Sequence, residues 1–219
     1  MEVTVLVDTF PPDLIRDERL VRDESLSWRA QARAKFLLED LPQRWAHTQA
    51  VAALVGDIAD VLAPAAKHVL TAAGWLHDIG YSEKIEKGNG FHPIDGAKWA
   101  RAALYSDVIV GLIAHHSGAG AEAAERGLAA ELEALPVPPP SFLDIITYAD
   151  LHTGPQGQYL SVHDRLQDIL ARYAPEHVVH RAVSRSTREL LRAVGRVERE
   201  LRRAGRTCLT NVSRGKEAR

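Results

Sequence analysis

Apolar residues recur three, four or seven positions apart along most of this chain, and that spacing predicts helices. After a short β-capable start, Val3 to Val7, and Pro11-Pro12, a charged stretch leads to a cap at Ser25 or Ser27. The helix it opens ends before Pro42. Val51, Leu54, Ile58 and Leu62 define a second helix from about Arg44 to Leu62, and His47, one turn ahead of Val51, is expected to point at the core. Pro64 starts a third helix. Its Ala65, Ala66, Val69, Leu70, Ala72, Ala73, Trp75, Leu76 and Ile79 leave almost no polar face, as in a central, buried helix. His77-Asp78 closes it just before Gly80, where the backbone can turn and two neighbouring side chains can converge.

Ser82 to Phe91, containing Gly88-Asn89-Gly90, reads as a loop, and His92-Pro93 opens a fourth helix with proline in its first turn. Ser106 or Asp107 caps a fifth, in which Ile109, Leu112, Ile113 and His116 form one stripe flanked by Val108 and His115. A polar, alanine-rich stretch and the breaker Pro136-Val137-Pro138-Pro139-Pro140 follow. Phe142 to Leu151 is then apolar except at Asp144, Thr147 and Asp150. A long Arg-rich helix carries Val179, Val183, Leu190, Val194, Val197 and Leu201, a stripe that can pack on its own domain or support a homodimer. The expected fold is therefore all-α: an extension over 1–24, one helical domain over 25–206 with its core at about 44–173, and a disordered tail over 207–219.

Several polar residues interrupt these apolar stretches where a packed helix would hold Leu or Val: His47, His77, Asp78, His92, His115-His116 and Asp150. Burying an imidazole or carboxylate without a partner costs several kcal/mol, which a divalent cation would offset. Imidazole and carboxylate suit Mn, Fe, Co, Ni or Zn. A thiolate site is excluded because Cys208 is the single cysteine.

Composition adds limits. With 219 residues, 46% hydrophobic and 26% charged, the chain has the make-up of one ordinary globular domain. One cysteine cannot form an intramolecular disulfide, the start MEVTVLVDTFPPDLIRDERL has no basic-then-apolar leader pattern, and no apolar stretch reaches membrane-spanning length. No membrane association and a cytoplasmic location are expected. Net charge is −2, yet from Glu176 onward the chain holds twelve of its 27 Lys/Arg and five of its 29 Asp/Glu. Without a DNA or RNA motif this basic end reads as a solvated helix face, not a nucleic-acid surface. No P-loop and no glycine-rich dinucleotide fingerprint is present.

The phrases AGWLHDIGYS, GFHPIDGAKWAR, IAHHSGA and ITYADLHTGPQG, in this order between Arg44 and Tyr173, resemble the HD-domain metal-dependent phosphohydrolases. That resemblance implies a helical bundle in which His47, His77, Asp78 and Asp150 hold a first metal. It also implies that His92 and the pair His115-His116 serve a second, with Asp78 bridging both. One or two divalent ions, among Mn, Fe, Co, Ni, Mg or Zn, are the implied cofactors.

The implied activity is hydrolysis of a phosphate ester, of a nucleotide or another small phosphorylated metabolite. In such two-ion sites the metals sit about 3.5–4 Å apart, and the nucleophile is a deprotonated water, not a side chain. Asp78 and Lys84 are the candidate catalytic residues; Lys84, Lys87, Arg126 and Arg165 are the candidate phosphate binders. Gly154-Pro155-Gln156-Gly157 reads as a turn. His68, His152, His163, His177 and His180 read as surface or supporting residues, His152 being nearest in sequence to a candidate ligand. Ser117-Gly118-Ala119 follows the histidine pair where cyclic-dinucleotide phosphodiesterases of this superfamily carry a glutamate, so that substrate is disfavoured. Two alternatives stand beside this reading: a di-iron oxygenase built on the same ligands, and a metal-stabilised nucleotide-binding regulatory module without turnover.

Overall fold

Asp23 supplies the first capping signal, its carboxylate accepting a hydrogen bond from Ser25 N at 3.0 Å, so α1 (Glu24–Leu38) begins just ahead of the serines expected to cap it. The computed structural model describes residues 23–206. Val3 to Val7, Pro11-Pro12 and the tail 207–219 lie outside the described residues. α2 (Pro42–Leu62) starts at Pro42 and not at Arg44, because proline in a first turn has no N–H to lose. A 3-10 turn, Pro64–Ala66, leads into α3 (Lys67–Leu76).

His77 and Asp78 follow α3 directly, and a second 3-10 turn, Ile79–Tyr81, carries the chain away from it. α4 (His92–Ala102) and α5 (Asp107–His115) come next, α5 capped by Ser106. After a 3-10 turn at His116–Gly118, the alanine-rich stretch forms two short helices, α6 (Ala119–Arg126) and α7 (Ala129–Glu133), in keeping with alanine's high helix propensity. α8 (Pro140–Leu151), α9 (Val162–Arg172) and α10 (Val178–Arg203) complete the fold. Among the described residues the sole β feature is an isolated bridge between Thr153 and Tyr159, so the fold is all-α.

α3 is the central helix that its apolar surface predicts, packed between α1 and α2. Val69, Ala72 and Leu76 face a cluster with Leu38, Ile94 and Ile113; Leu70 and Ala73 face a second with Val55, Ile146 and Val194. Complete burial of a side chain such as Leu70 or Leu76 contributes roughly 1.5–3 kcal/mol, so the segment carrying His77-Asp78 is held from both sides. Leu190, Val194, Val197 and Leu201 of α10 are buried within this same domain, against the second cluster. Arg196 closes the contact by donating to both oxygens of Asp144 on α8, at 2.6 and 2.7 Å. No helix among the described residues is long and apolar enough to cross a membrane.

Candidate metal centre

Gly80 sets the geometry of the site. A Cβ there would lie 1.9 Å from the carbonyl oxygen of His92, so only glycine lets the turn after His77-Asp78 touch the start of α4. The approach brings His92 beside Asp78. His47 arrives from the first turns of α2, His116 from the end of α5 and Asp150 from the last turn of α8.

The imidazoles are preset as ligands. His47 Nδ1 donates to Gly154 O at 3.1 Å, His77 Nδ1 to Gly74 O at 2.8 Å and His116 Nδ1 to Ile113 O at 2.7 Å. A carbonyl oxygen only accepts, so each ring carries its proton on Nδ1 and turns the Nε2 lone pair inward. His47 Nε2 and His77 Nε2 are buried without an aligned hydrogen-bond partner, and His92 Nε2 faces His116 Nε2 at 3.3 Å. Such orphaned, converging acceptors fit a cation.

Asp78 divides the set. Its Oδ2 lies 3.3 Å from His77 Nε2 and 3.7 Å from His47 Nε2, while its Oδ1 lies 3.5 Å from His92 Nε2 and 3.8 Å from His116 Nε2. Two ligand groups result, His47–His77–Asp78 and Asp78–His92–His116, sharing one carboxylate. Asp150 adjoins the first through Oδ1, 3.1 Å from His47 Nε2, and its Oδ2 accepts from Ser117 Oγ. Ser117 reaches that position from a left-handed backbone (φ 47, ψ 42), rare for a residue with a side chain.

Charge is distributed accordingly. Burial would raise Asp78, but the Arg44 guanidinium and the His77 ring outweigh it and hold the carboxyl well below its ordinary range. Asp150 is likewise lowered against burial, chiefly by its contact with His47. Burial pushes His92 well down and His116 down, keeping both rings neutral and able to ligate. His77 is raised because Asp78 outweighs the burial that would lower it.

The family comparison now bears on this geometry. The family model for the HD domain matches residues 44–153, half of the chain. The chain belongs to the HD-domain family. Comparison with curated proteins and with solved structures gives no match. The HD-domain superfamily is one of metal-dependent hydrolases, and the buried His/Asp cluster at its centre can hold divalent ions. The matched segment includes all the residues that converge, and α9 and α10 lie beyond it.

Not every expected residue joins the HD-domain site. His115 is not brought into either ligand group. His115 is the last residue of α5 and keeps the direction the helix gives it, so while His116, just past the helix, turns inward, His115 faces the carbonyls of Leu135 and Pro136 and a separate cavity beside Asp144 and Ser186. Lys84 is also away from the cavity. Its ammonium is taken by Phe36 O at 2.8 Å, Glu39 at 2.5 Å and Asp40 at 2.9 Å, where the end of α1 leaves acceptors free. Lys87 donates to Gly80 O at 2.8 Å and so braces the turn below the site. His152, stacked on Tyr148 and donating to its carbonyl, supports the end of α8.

Arg126 and Arg165 do line the cavity above the ligands, which holds about 380 Å³. Arg44, Tyr81 and Arg172 line it too and were not singled out from the sequence. Arg44 Nη1 donates to Asp78 Oδ2 at 2.5 Å, and Tyr81 lies between the Arg44 guanidinium, 3.9 Å from its ring centre, and His92, stacked at 4.0 Å. The signal for Arg44 was its place three residues before His47, on the same helix face.

Proposed function

We propose that this HD-domain chain hydrolyses a phosphate ester of a nucleotide or other small phosphorylated metabolite at a two-ion centre bridged by Asp78. The observation that carries the reading is the division of Asp78, one oxygen toward His47 and His77 and the other toward His92 and His116. The first ion would rest on His47, His77, Asp78 and the adjoining Asp150, the second on Asp78, His92 and His116. Divalent ions held there would supply Lewis acidity for the phosphoryl oxygens and lower the pKa of water toward neutrality.

The chain's own residues complete the site. Arg126 lines the cavity that opens onto the ligands and, held there by Glu122 at 2.7 Å, presents a guanidinium at its wall for a phosphoryl oxygen. Arg44 anchors Asp78, and Tyr81 stacked on His92 fixes the plane of that ring. Ser117 donates to Asp150 and orients its second oxygen toward His47. Leu166, Ile169 and Val183 cover one wall of the cavity and exclude water there.

The test is phosphate release from a panel of nucleotides and phosphoesters by protein reloaded separately with Mn, Fe, Co, Ni, Mg or Zn, with metal content measured in parallel. Asp78→Ala, which removes the shared ligand, is expected to lose both ions and all release. Full release by Asp78→Ala would sink the two-ion reading, and silence across the panel with oxygen uptake by the iron form would replace it with the oxygenase.

A further inference from the structure

A second cavity, of about 460 Å³ and bordered by His47, lies beside the one lined by Asp78, His92, His116 and Asp150, and the two share Arg44, Tyr81, Arg165 and Arg172 in their walls. The second cavity is cationic. Its one lining carboxylate among the described residues, Asp40, is paired with Lys84 at 2.9 Å. Arg44 has its charge answered by Asp78 at 2.5 Å. Arg165 and Arg172 are different: both contact the same oxygen of Asp168, at 3.2 and 2.5 Å, so two guanidinium groups share one contacting carboxylate, and the other carboxylate that Arg165 acts on is Asp150, across the first cavity.

Helical spacing builds this arrangement, since residues 165, 168 and 172 stand three and four apart on one face of α9. Arg165 is also buried, at 8% exposure, and its Nε has no hydrogen-bond partner. A buried guanidinium N–H without a protein acceptor is rare in folded proteins and calls for an acceptor beyond the protein's own groups, a water or a ligand.

We propose that Arg165 and Arg172 form an anion subsite in the second cavity, and that the substrate carries a second anionic group, a phosphate or carboxylate, apart from the phosphate that is cleaved. The inference rests on the hydrolase reading for its first anchor but stands on its own residues for the second. Asp168 is the positioning residue that holds both guanidinium groups toward the cavity.

Non-hydrolysable probes separate the two. Alkane bisphosphonates of increasing methylene count, and the matching alkyl monophosphonates, are titrated calorimetrically into the full, Mn-loaded chain and into Arg165→Met and Arg172→Met. At one spacing or more the bisphosphonate is expected to bind about tenfold tighter than its monophosphonate, the worth of one charge-assisted contact. Both variants lose that advantage, their bisphosphonate affinity falling to that of the matching monophosphonate, whose own affinity falls by much less because these residues also border the first cavity. Arg172 is 43% exposed, so Arg172→Met decides the matter should Arg165→Met fail to fold. The subsite is refuted by the absence of any bisphosphonate advantage in the wild type, by an advantage that survives Arg172→Met, or by an equal loss of monophosphonate binding. A bisphosphonate advantage without phosphate release from any ester would keep the subsite and discard the hydrolase reading. Release from simple esters without the advantage would do the reverse.

Discussion

At the scale of single residues, the site depends on which imidazole nitrogen keeps its proton. The carbonyls of Gly154, Gly74 and Ile113 each take an Nδ1–H, so His47, His77 and His116 offer Nε2 inward without a rearrangement. His116→Ala is therefore expected to cost one of two bound ions, while His115→Ala keeps both; atomic emission analysis of the purified variants measures the difference. Ser117→Gly tests the residue that braces Asp150. It removes a left-handed, non-glycine conformation that costs on the order of 1 kcal/mol, so the metal-free protein should melt no lower than wild type. Loss of the hydroxyl on Asp150 should nevertheless weaken metal binding by roughly 10- to 100-fold in a chelator competition. The residues that converge, the expected set without His115, were legible in the sequence because imidazole and carboxylate groups stood out in apolar stretches. Ser117 and Arg44 were not, because a serine beside glycine and an arginine at a helix start have ordinary explanations.

Among the elements, the turn at Ile79–Tyr81 does more for the site than any helix. Gly80→Ala would place a methyl against the His92 carbonyl, a backbone atom that cannot rotate away. A loss of about 3 kcal/mol or more is expected in chemical denaturation, and at any temperature where the variant still folds, His92 should be displaced and the second ion lost first. Helical periodicity predicted most elements to within a few residues because buried positions repeat every turn. Two things escaped it. The alanine-rich stretch that forms α6 and α7 has too few large apolar residues to show a stripe, and the cap of α1 is an aspartate whose neighbouring serines are equally good candidates. The 165–168–172 face of α9 was legible only in part, since spacing gives a shared face but not the cavity that it borders.

For the molecule as a whole, the last helix is a structural closure. Its apolar stripe is consumed within the domain, and Arg196 pins it to α8 through Asp144. Arg196→Met removes both bonds to that nearly buried carboxylate. With Arg196 half exposed, about 1–2 kcal/mol of stability should be lost, visible as a Tm lower by several degrees with metal content unchanged. The residues that converge on the candidate metal centre all come from the segment between Arg44 and Asp150, whereas Leu166, Ile169, Arg165, Arg172 and Val183 come from the two helices after it. Gly154 lies in the link between these parts, its carbonyl setting the proton on His47 and its Cβ position already filled by Gln158. The wall that would meet a bound molecule and the residues that converge on the candidate metal centre thus belong to separate stretches of chain, joined through that single carbonyl.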